Sequence, residues 1–313
     1  MPDINDCAAL VENASRVVVG KRRALELMTI ALLAEGHVLL EDVPGLGKTI
    51  MAKALAASMG GVFRRIQFTP DLLPSDVTGF SVYDQKSGDF VFHPGPVMAN
   101  VLLADEINRT IPRTQASLLE SMSEFQATVD GSTRVLPRPF FVIATQNPIE
   151  MDGTFPLPEA QLDRFLMKID LGYPTMEEEL DILERFRKAD PIPELRAVTT
   201  PERVRELQAL RGEIRVAPPI RRYIAELAAA TRAHPRVRYG ASPRGSLGLL
   251  KAAQASALLA GRDYAVPDDV KLLALPVLAH RLILRHEERA KGASAAAVMA
   301  EILTGVPAPS PAG

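Results

Sequence analysis

Two groups of residues in this chain could together do phosphate chemistry. The first is Pro44, Gly45, Leu46, Gly47, Lys48, Thr49 and Ile50, which follow the apolar run Val38-Leu39-Leu40. Such a loop cradles an anion. Its glycines bring backbone N–H groups close to a phosphate, the following helix adds partial positive charge, Lys48 can reach the β and γ phosphates, and Thr49 can ligate Mg²⁺. The pattern departs from G-x-x-x-x-G-K-S/T at one position, where Asp42 stands in place of the first glycine. The second group is Asp105-Glu106, delivered by Val101-Leu102-Leu103-Ala104. Two adjacent carboxylates repel unless a cation holds them, which assigns Asp105 to the metal and Glu106 to polarising an attacking water. The bland alternative is a chance Gly-Lys-Thr turn and a solvated strand end. Finding both groups in one chain argues against it.

Three further positions could complete the site. Val17-Val18-Val19-Gly20 is a short apolar turn. Alone it reads as core packing; shortly before a phosphate loop, Val19 and Gly20 fit an adenine ring better. Asn147, just after the apolar run 140–145, could hydrogen-bond the γ-phosphate or hold the water; a turn-forming Asn before Pro148 is an equal alternative. Arg164 falls on a turn where either an ion pair with Asp163 or Glu159, or an arginine finger for a neighbouring subunit, is reasonable.

Positioning these groups requires an open parallel sheet, whose ligands lie at the carboxyl ends of its strands. Apolar runs predict strands at 38–40, 66–68, 101–104, 140–145 and 166–171, with helices up to about 16, over 21–33, from 49 onward and over 114–125. Two β-hairpins interrupt this rhythm, one within 78–97 and one turning at Asp130-Gly131. From 175 the chain reads as almost entirely helical: 175–188, 201–211, 217–232, 243–260, 267–286 and 294–303. Thr175 and Glu178 form a capping box, Ser242 with Pro243 opens a helix, and Ile220, Tyr223, Ile224 and Leu227 form a packing stripe. The expected division is an α/β nucleotide-binding domain at 1–172, a helical domain at 173–304 and a disordered Pro/Ala tail at 305–313.

Composition narrows the function classes. A chain of 313 residues with 47% hydrophobic content can fill a core in each domain. Its net charge of −2 gives no basic field, so no general affinity for nucleic acid is expected, and Arg232, His234, Arg236 and Arg238 read as a solvated face. Cys7 is the only cysteine, no apolar run is long enough to span a bilayer, and no signal peptide is evident, which predicts a cytoplasmic protein. The five histidines show no zinc-ligand spacing.

Glu41 to Thr49, Leu103 to Arg109, Ala144 to Pro148 and Leu157 to Phe165, taken together and in this order, resemble a MoxR-type AAA+ ATPase over nearly the whole chain. The two hairpins are similar to that branch's helix-2 and pre-sensor-1 inserts. The resemblance implies a P-loop AAA+ module: a parallel sheet flanked by helices with two hairpin insertions, then a small all-helical lid. It makes Lys48 and Thr49 the Walker A contacts, Asp105 and Glu106 the Walker B pair, Asn147 sensor 1, and Arg164 a finger acting in trans. Arg244, in Gly240-Ala241-Ser242-Pro243-Arg244, becomes a sensor 2 reading the γ-phosphate from the lid. It also implies Mg²⁺ and ATP as cofactors, a homo-oligomeric ring, usually hexameric, and a chaperone-like action on protein clients, von Willebrand factor A domain proteins among them. The competing functions are a nucleic-acid motor, a magnesium-chelatase-like subunit and a non-hydrolytic nucleotide-gated scaffold.

Overall fold

The computed structural model describes residues 5–43, 45–147, 153–187 and 192–309. Its first half runs α1 (Asn5–Ser15), α2 (Arg22–Leu33), β1 (Val38–Glu41), α3 (Lys48–Ser58), β2 (Phe63–Gln67), α4 (Pro74–Thr78), β3 (Gly79–Asp84), β4 (Asp89–Pro94), β5 (Val101–Asp105), α5 (Pro112–Glu124), β6 (Gln126–Val129), β7 (Ser132–Val135), β8 (Phe141–Gln146), α6 (Glu159–Leu162) and β9 (Met167–Ile169). The second half runs α7 (Met176–Arg185), α8 (Pro201–Arg211), α9 (Pro218–Ala233), β10 (Val237–Tyr239), α10 (Pro243–Leu259), α11 (Pro267–Leu278), β11 (Ile283–Leu284), α12 (His286–Ala290) and α13 (Ala295–Gly305).

Five strands form one parallel sheet in the order β2-β5-β8-β1-β9. Their alternation fills both faces, as a parallel sheet requires. Val38 and Leu40, Val101 and Leu103 turn toward a cluster built with α1, α2 and α3; Leu39, Leu102 and Ala104 turn toward a second cluster with Leu118, Leu119 and Phe165. The register brings Gln67 beside Asp105 and Glu41 beside Gln146, so four strand ends share one edge. The two expected hairpins are β3–β4 and β6–β7, both outside this sheet.

The larger cluster continues into α8 to α11 and α13, so the second half packs against the α1/α2 side of the sheet. Gly248 of α10 lets the helix approach Leu166: an added Cβ would lie 3.0 Å from that side chain. The expected capping box is present, with Thr175 Oγ1 accepting from Glu178 N at 3.3 Å and Glu178 Oε2 accepting from Thr175 N at 2.8 Å.

Three expectations are corrected. The single helix over 267–286 ends at Leu278 and passes through a 3-10 turn (Ala279–Arg281) into β11. Pro276 inside α11 cannot supply its helical N–H. Arg281 then donates to the carbonyls of Phe165 (2.7 Å) and Leu166 (3.1 Å), which fixes the turn against the α/β half. The second half is not all-helical, because β11 pairs antiparallel with β10. The expected disorder of 305–313 does not hold for its described part: Gly305 closes α13, and Val306 and Ala308 bury apolar surface on the larger cluster. Residues 310–313 lie outside the described residues.

Candidate functional site

The loop leaving β1 is built to expose its backbone. Gly45 and Gly47 have φ of +88° and +83°, values that side-chain-bearing residues rarely adopt, and an added Cβ at either would meet nothing within 4 Å. The glycines are therefore required by conformation, and they leave an open face in front of the first turn of α3. Pro44 lies outside the described residues. Lys48 Nζ donates to the carbonyl of Asp42 at 2.6 Å. Burial lowers its pKa, opposed by the carboxylates of Asp42, Asp105 and Glu106.

Thr145, on β8, organises the two acids at the end of β5. Its hydroxyl donates to Asp105 Oδ1 at 2.6 Å and accepts from Glu106 N at 2.9 Å. Glu106 has a left-handed backbone, φ 56°, which costs a non-glycine residue about 1–3 kcal/mol, and the bond to Thr145 helps hold it there. From β2, Arg65 donates to Asp105 Oδ2 through Nη2 (2.6 Å) and Nε (3.1 Å), and through Nη2 to Gln67 Oε1 (2.9 Å). Gln67 Nε2 donates in turn to Glu106 Oε2 at 2.9 Å, and Arg109 Nε lies 3.4 Å from the same oxygen. Asn147, 8% exposed, completes a cleft of about 350 Å³ that also takes in Gly45, Gly47, Lys48 and Thr49.

Beside it lies an apolar recess of about 120 Å³, lined by Val17, Val18, Val19, Leu46, Ile50, Pro174, Ile182 and Phe186 among others. Gly20 follows with φ +69°, and an added Cβ would strike the Glu178 carboxylate. The segment between β9 and α7 is tied to this corner by both charges of the neighbourhood. Lys21 Nζ donates to the carbonyls of Leu171 (3.0 Å) and Gly172 (2.9 Å), and the Asp42 carboxylate accepts from the N–H groups of the same two residues.

The donor set suits Mg·ATP: an open glycine cradle, one ammonium, and a hydroxyl opposite a carboxylate at the same cleft. Mg²⁺ is held by one or two protein oxygens together with substrate phosphates, so these ligands suffice. The apolar recess next to the cradle suits a base.

Arg164 and Arg244 lie elsewhere. Both line a second cleft of about 430 Å³ with Leu247, Gly248 and Lys251, and neither lines the phosphate cleft. Among the described residues Arg164 makes no ion pair: its Nη1 donates to the Leu119 carbonyl (3.1 Å) and to Ser123 Oγ. Asp163 is engaged by Arg281 Nε at 2.8 Å, with Arg244 Nη1 at 3.9 Å and the Ser242 hydroxyl at 3.4 Å. Arg244, expected to sense the γ-phosphate from the lid, thus stands outside the cleft that holds Lys48 and Asp105 of its own chain. The side of the sheet on which α10 packs places it beside Arg164 instead.

Sequence reasoning missed Thr145, Arg65, Gln67 and Arg109. Arg65 and Gln67 alternate around Ile66, a signal that both face one side of β2, but only the register with β5 shows what they meet.

The family described as "ATPase family associated with various cellular activities (AAA)" matches residues 37–167, and an AAA lid domain matches residues 229–302. The chain is 55% identical to the protein YeaC of Bacillus subtilis, over 96% of this chain and 93% of that one. It is 41% identical to Chaperone MoxR1 of Mycobacterium tuberculosis (98% and 83%) and 35% identical to Protein MoxR of Methylorubrum extorquens (91% and 90%). A crystal structure of a Cytophaga hutchinsonii protein assigned as an ATPase superposes with a TM-score of 0.92 at 39% identity, covering 98% of this chain and 96% of that one.

Proposed function

Since this chain belongs to the MoxR-type AAA+ ATPases and hydrolyses ATP, we propose that it does so with Mg²⁺, in a ring of identical subunits, to remodel protein clients. What supports the reading most is one observation: Lys48, Thr49, Asp105, Glu106 and Asn147 line a single cleft.

In this reading the N–H groups around Gly45, Leu46 and Gly47 and the start of α3 bind the phosphates, and Lys48 neutralises the β and γ oxygens. Thr49 and Asp105 hold the metal. A bound Mg²⁺ supplies charge neutralisation of the triphosphate. Glu106 accepts a hydrogen bond from the attacking water, and Asn147 orients that water or the γ-phosphate. Val19 and Gly20, with Leu46, Pro174 and Ile50, enclose the adenine.

Arg164 and Arg244 act on a neighbour. Their position together, in a cleft apart from their own phosphate loop, supports a head-to-tail contact in which both reach the next subunit's ATP. That arrangement repeats into a closed ring, for which six subunits is the proposed number. The chaperone name of the 41% identical relative supports protein clients, with von Willebrand factor A domain proteins proposed as the class, in the cytoplasm.

The test is direct. Glu106→Gln should bind ATP as the parent does and lose turnover by roughly 10²–10⁴-fold, whereas Lys48→Ala should lose binding. Normal turnover in either variant overturns the site. The Glu106→Gln protein held in ATP, with light scattering for subunit number and affinity capture for clients, tests the rest.

A further inference from the structure

Nothing in the roles above uses Arg65, yet its guanidinium has the strongest hold on the carboxylate that the metal needs. Arg65 sits near the end of β2, an edge strand of the sheet, and lines the phosphate cleft with Lys48, Thr49, Asp105 and Glu106. Two of its nitrogens meet one oxygen, Oδ2 of Asp105, at 2.6 and 3.1 Å. The other oxygen, Oδ1, accepts from the Thr145 hydroxyl. Among the described residues, both oxygens of this carboxylate therefore face donors that a cation would have to displace or tolerate. Thr145 is neutral and stays compatible with a metal nearby. Arg65 is not: a guanidinium and a divalent cation at hydrogen-bond distance from one oxygen repel each other, a repulsion that partial solvent screening weakens but does not remove.

We propose that Arg65 is the built-in counter-ion of Asp105 and competes with the divalent metal for it, so that metal entry requires the guanidinium to swing away. The side chain has room to do so, being 48% exposed. The inference rests on the reading of this cleft as the Mg·ATP site. Its reach extends to the second acid, because Arg65 Nη2 also donates to Gln67 Oε1. With that oxygen taken, the amide must turn its NH₂ toward Glu106, where it donates to Oε2 at 2.9 Å. One guanidinium thus fixes both Asp105 directly and Glu106 through Gln67. Departure of Arg65 releases the amide orientation that pins Glu106.

The experiment measures metal binding itself. Mn²⁺ alone is titrated into the nucleotide-free protein and followed by electron paramagnetic resonance, for the parent chain, Arg65→Ala, Arg65→Lys and, as a control for the site, Asp105→Asn. Removing a competing charge that is about half solvated should tighten Mn²⁺ binding about tenfold in Arg65→Ala. Arg65→Lys should restore most of the competition, and Asp105→Asn should abolish the bound signal. Mn²⁺ affinity unchanged or weaker in a folded Arg65→Ala protein overturns the proposal. Binding of fluorescent ATP with Mg²⁺ to the parent chain separates the two claims: if the parent binds none, the cleft assignment fails. If it binds and Arg65→Ala shows no gain in Mn²⁺ affinity, only the counter-ion role fails.

Discussion

The Asp42 carboxylate accepts the backbone N–H of Gly172, 130 residues further along the chain, at 3.2 Å. The residue that replaces the first glycine of the phosphate loop is thus a tether. It fastens the loop to the segment that leads from β9 into α7, whose Pro174, Ile182 and Phe186 line the apolar recess.

Asp42→Gly, which restores the usual glycine, should therefore cost stability and spare nucleotide binding. Hydrogen bonds to a charged group contribute about 1.5–3 kcal/mol, so the urea midpoint should fall by roughly that equivalent. The carbonyl that receives Lys48 survives the substitution. Loss of ATP affinity with unchanged stability would assign Asp42 to the ligand instead.

Thr145→Val should separate folding from turnover. It removes the donor to Asp105 Oδ1 and the acceptor for Glu106 N at once, with no change of shape. Supporting groups of this kind are worth about 10–100-fold, which should appear in kcat with ATP affinity nearly unchanged. Thr145→Ser should recover most of it. Equal turnover in the valine variant would remove Thr145 from the site.

If Arg164 and Arg244 serve the next subunit, inactive variants should complement one another. Arg164→Ala mixed with Lys48→Ala places some intact sites at mixed interfaces, and ATPase activity should rise above either alone, as an arginine finger is worth roughly 10³–10⁵ in rate. The same mixture with Arg244→Ala should behave alike. Absence of recovery at every mixing ratio would count against action in trans.

Acid should destabilise the fold through His37. The ring is buried between β8 and α5, where Nδ1 accepts from Val142 N at 3.0 Å and Nε2 donates to the Met122 carbonyl at 3.0 Å. Burial pushes its pKa down to about 4. The unfolded chain, with an ordinary histidine near 6.5, binds the proton first. Stability is then complete above about pH 6.5 and falls as pH drops toward 4, by roughly 3 kcal/mol at pH 4. His280, buried against Arg281, is shifted in the same direction. Urea midpoints between pH 7 and pH 4 check this, and His37→Gln should flatten part of the slope.

Cys7 offers a reporter of unfolding. Burial first, and then the charge of Asp6, raise its thiol pKa to about 12. It should resist alkylation at neutral pH while the chain is folded and take up one label per chain in denaturant. Labelling at the rate of a free thiol would mean that α1 opens readily.

Much of the candidate site was legible because its residues lie at short covalent spacings. Gly45, Gly47, Lys48 and Thr49 must follow one another for a loop to become a helix around a phosphate, and Asp105-Glu106 must end an apolar strand. The capping box at Thr175 and Glu178 is equally local. Hairpins were legible from alternation around polar turns, since period two is a property of a single strand. The helix expected over 267–286 failed for a non-local reason: Arg281 and the pairing of β11 with β10 decide that segment, and neither partner is near in sequence.

The residues by themselves determined that a Gly-Lys-Thr loop and a pair of acids exist and that parallel strands carry them. Only the packed structure decided which groups surround the acids and where the arginines go. Thr145, Arg65 and Gln67 reach Asp105 and Glu106 because β2, β5 and β8 lie side by side in a particular register, a choice made by burial on both sheet faces. Arg244 stands with Arg164 because α10 docks against Leu166 beneath Gly248, where a side chain would keep the helix away. Spacing along the chain fixes what a loop can bind, but the neighbours of a strand end are set by close packing among segments that the sequence keeps far apart.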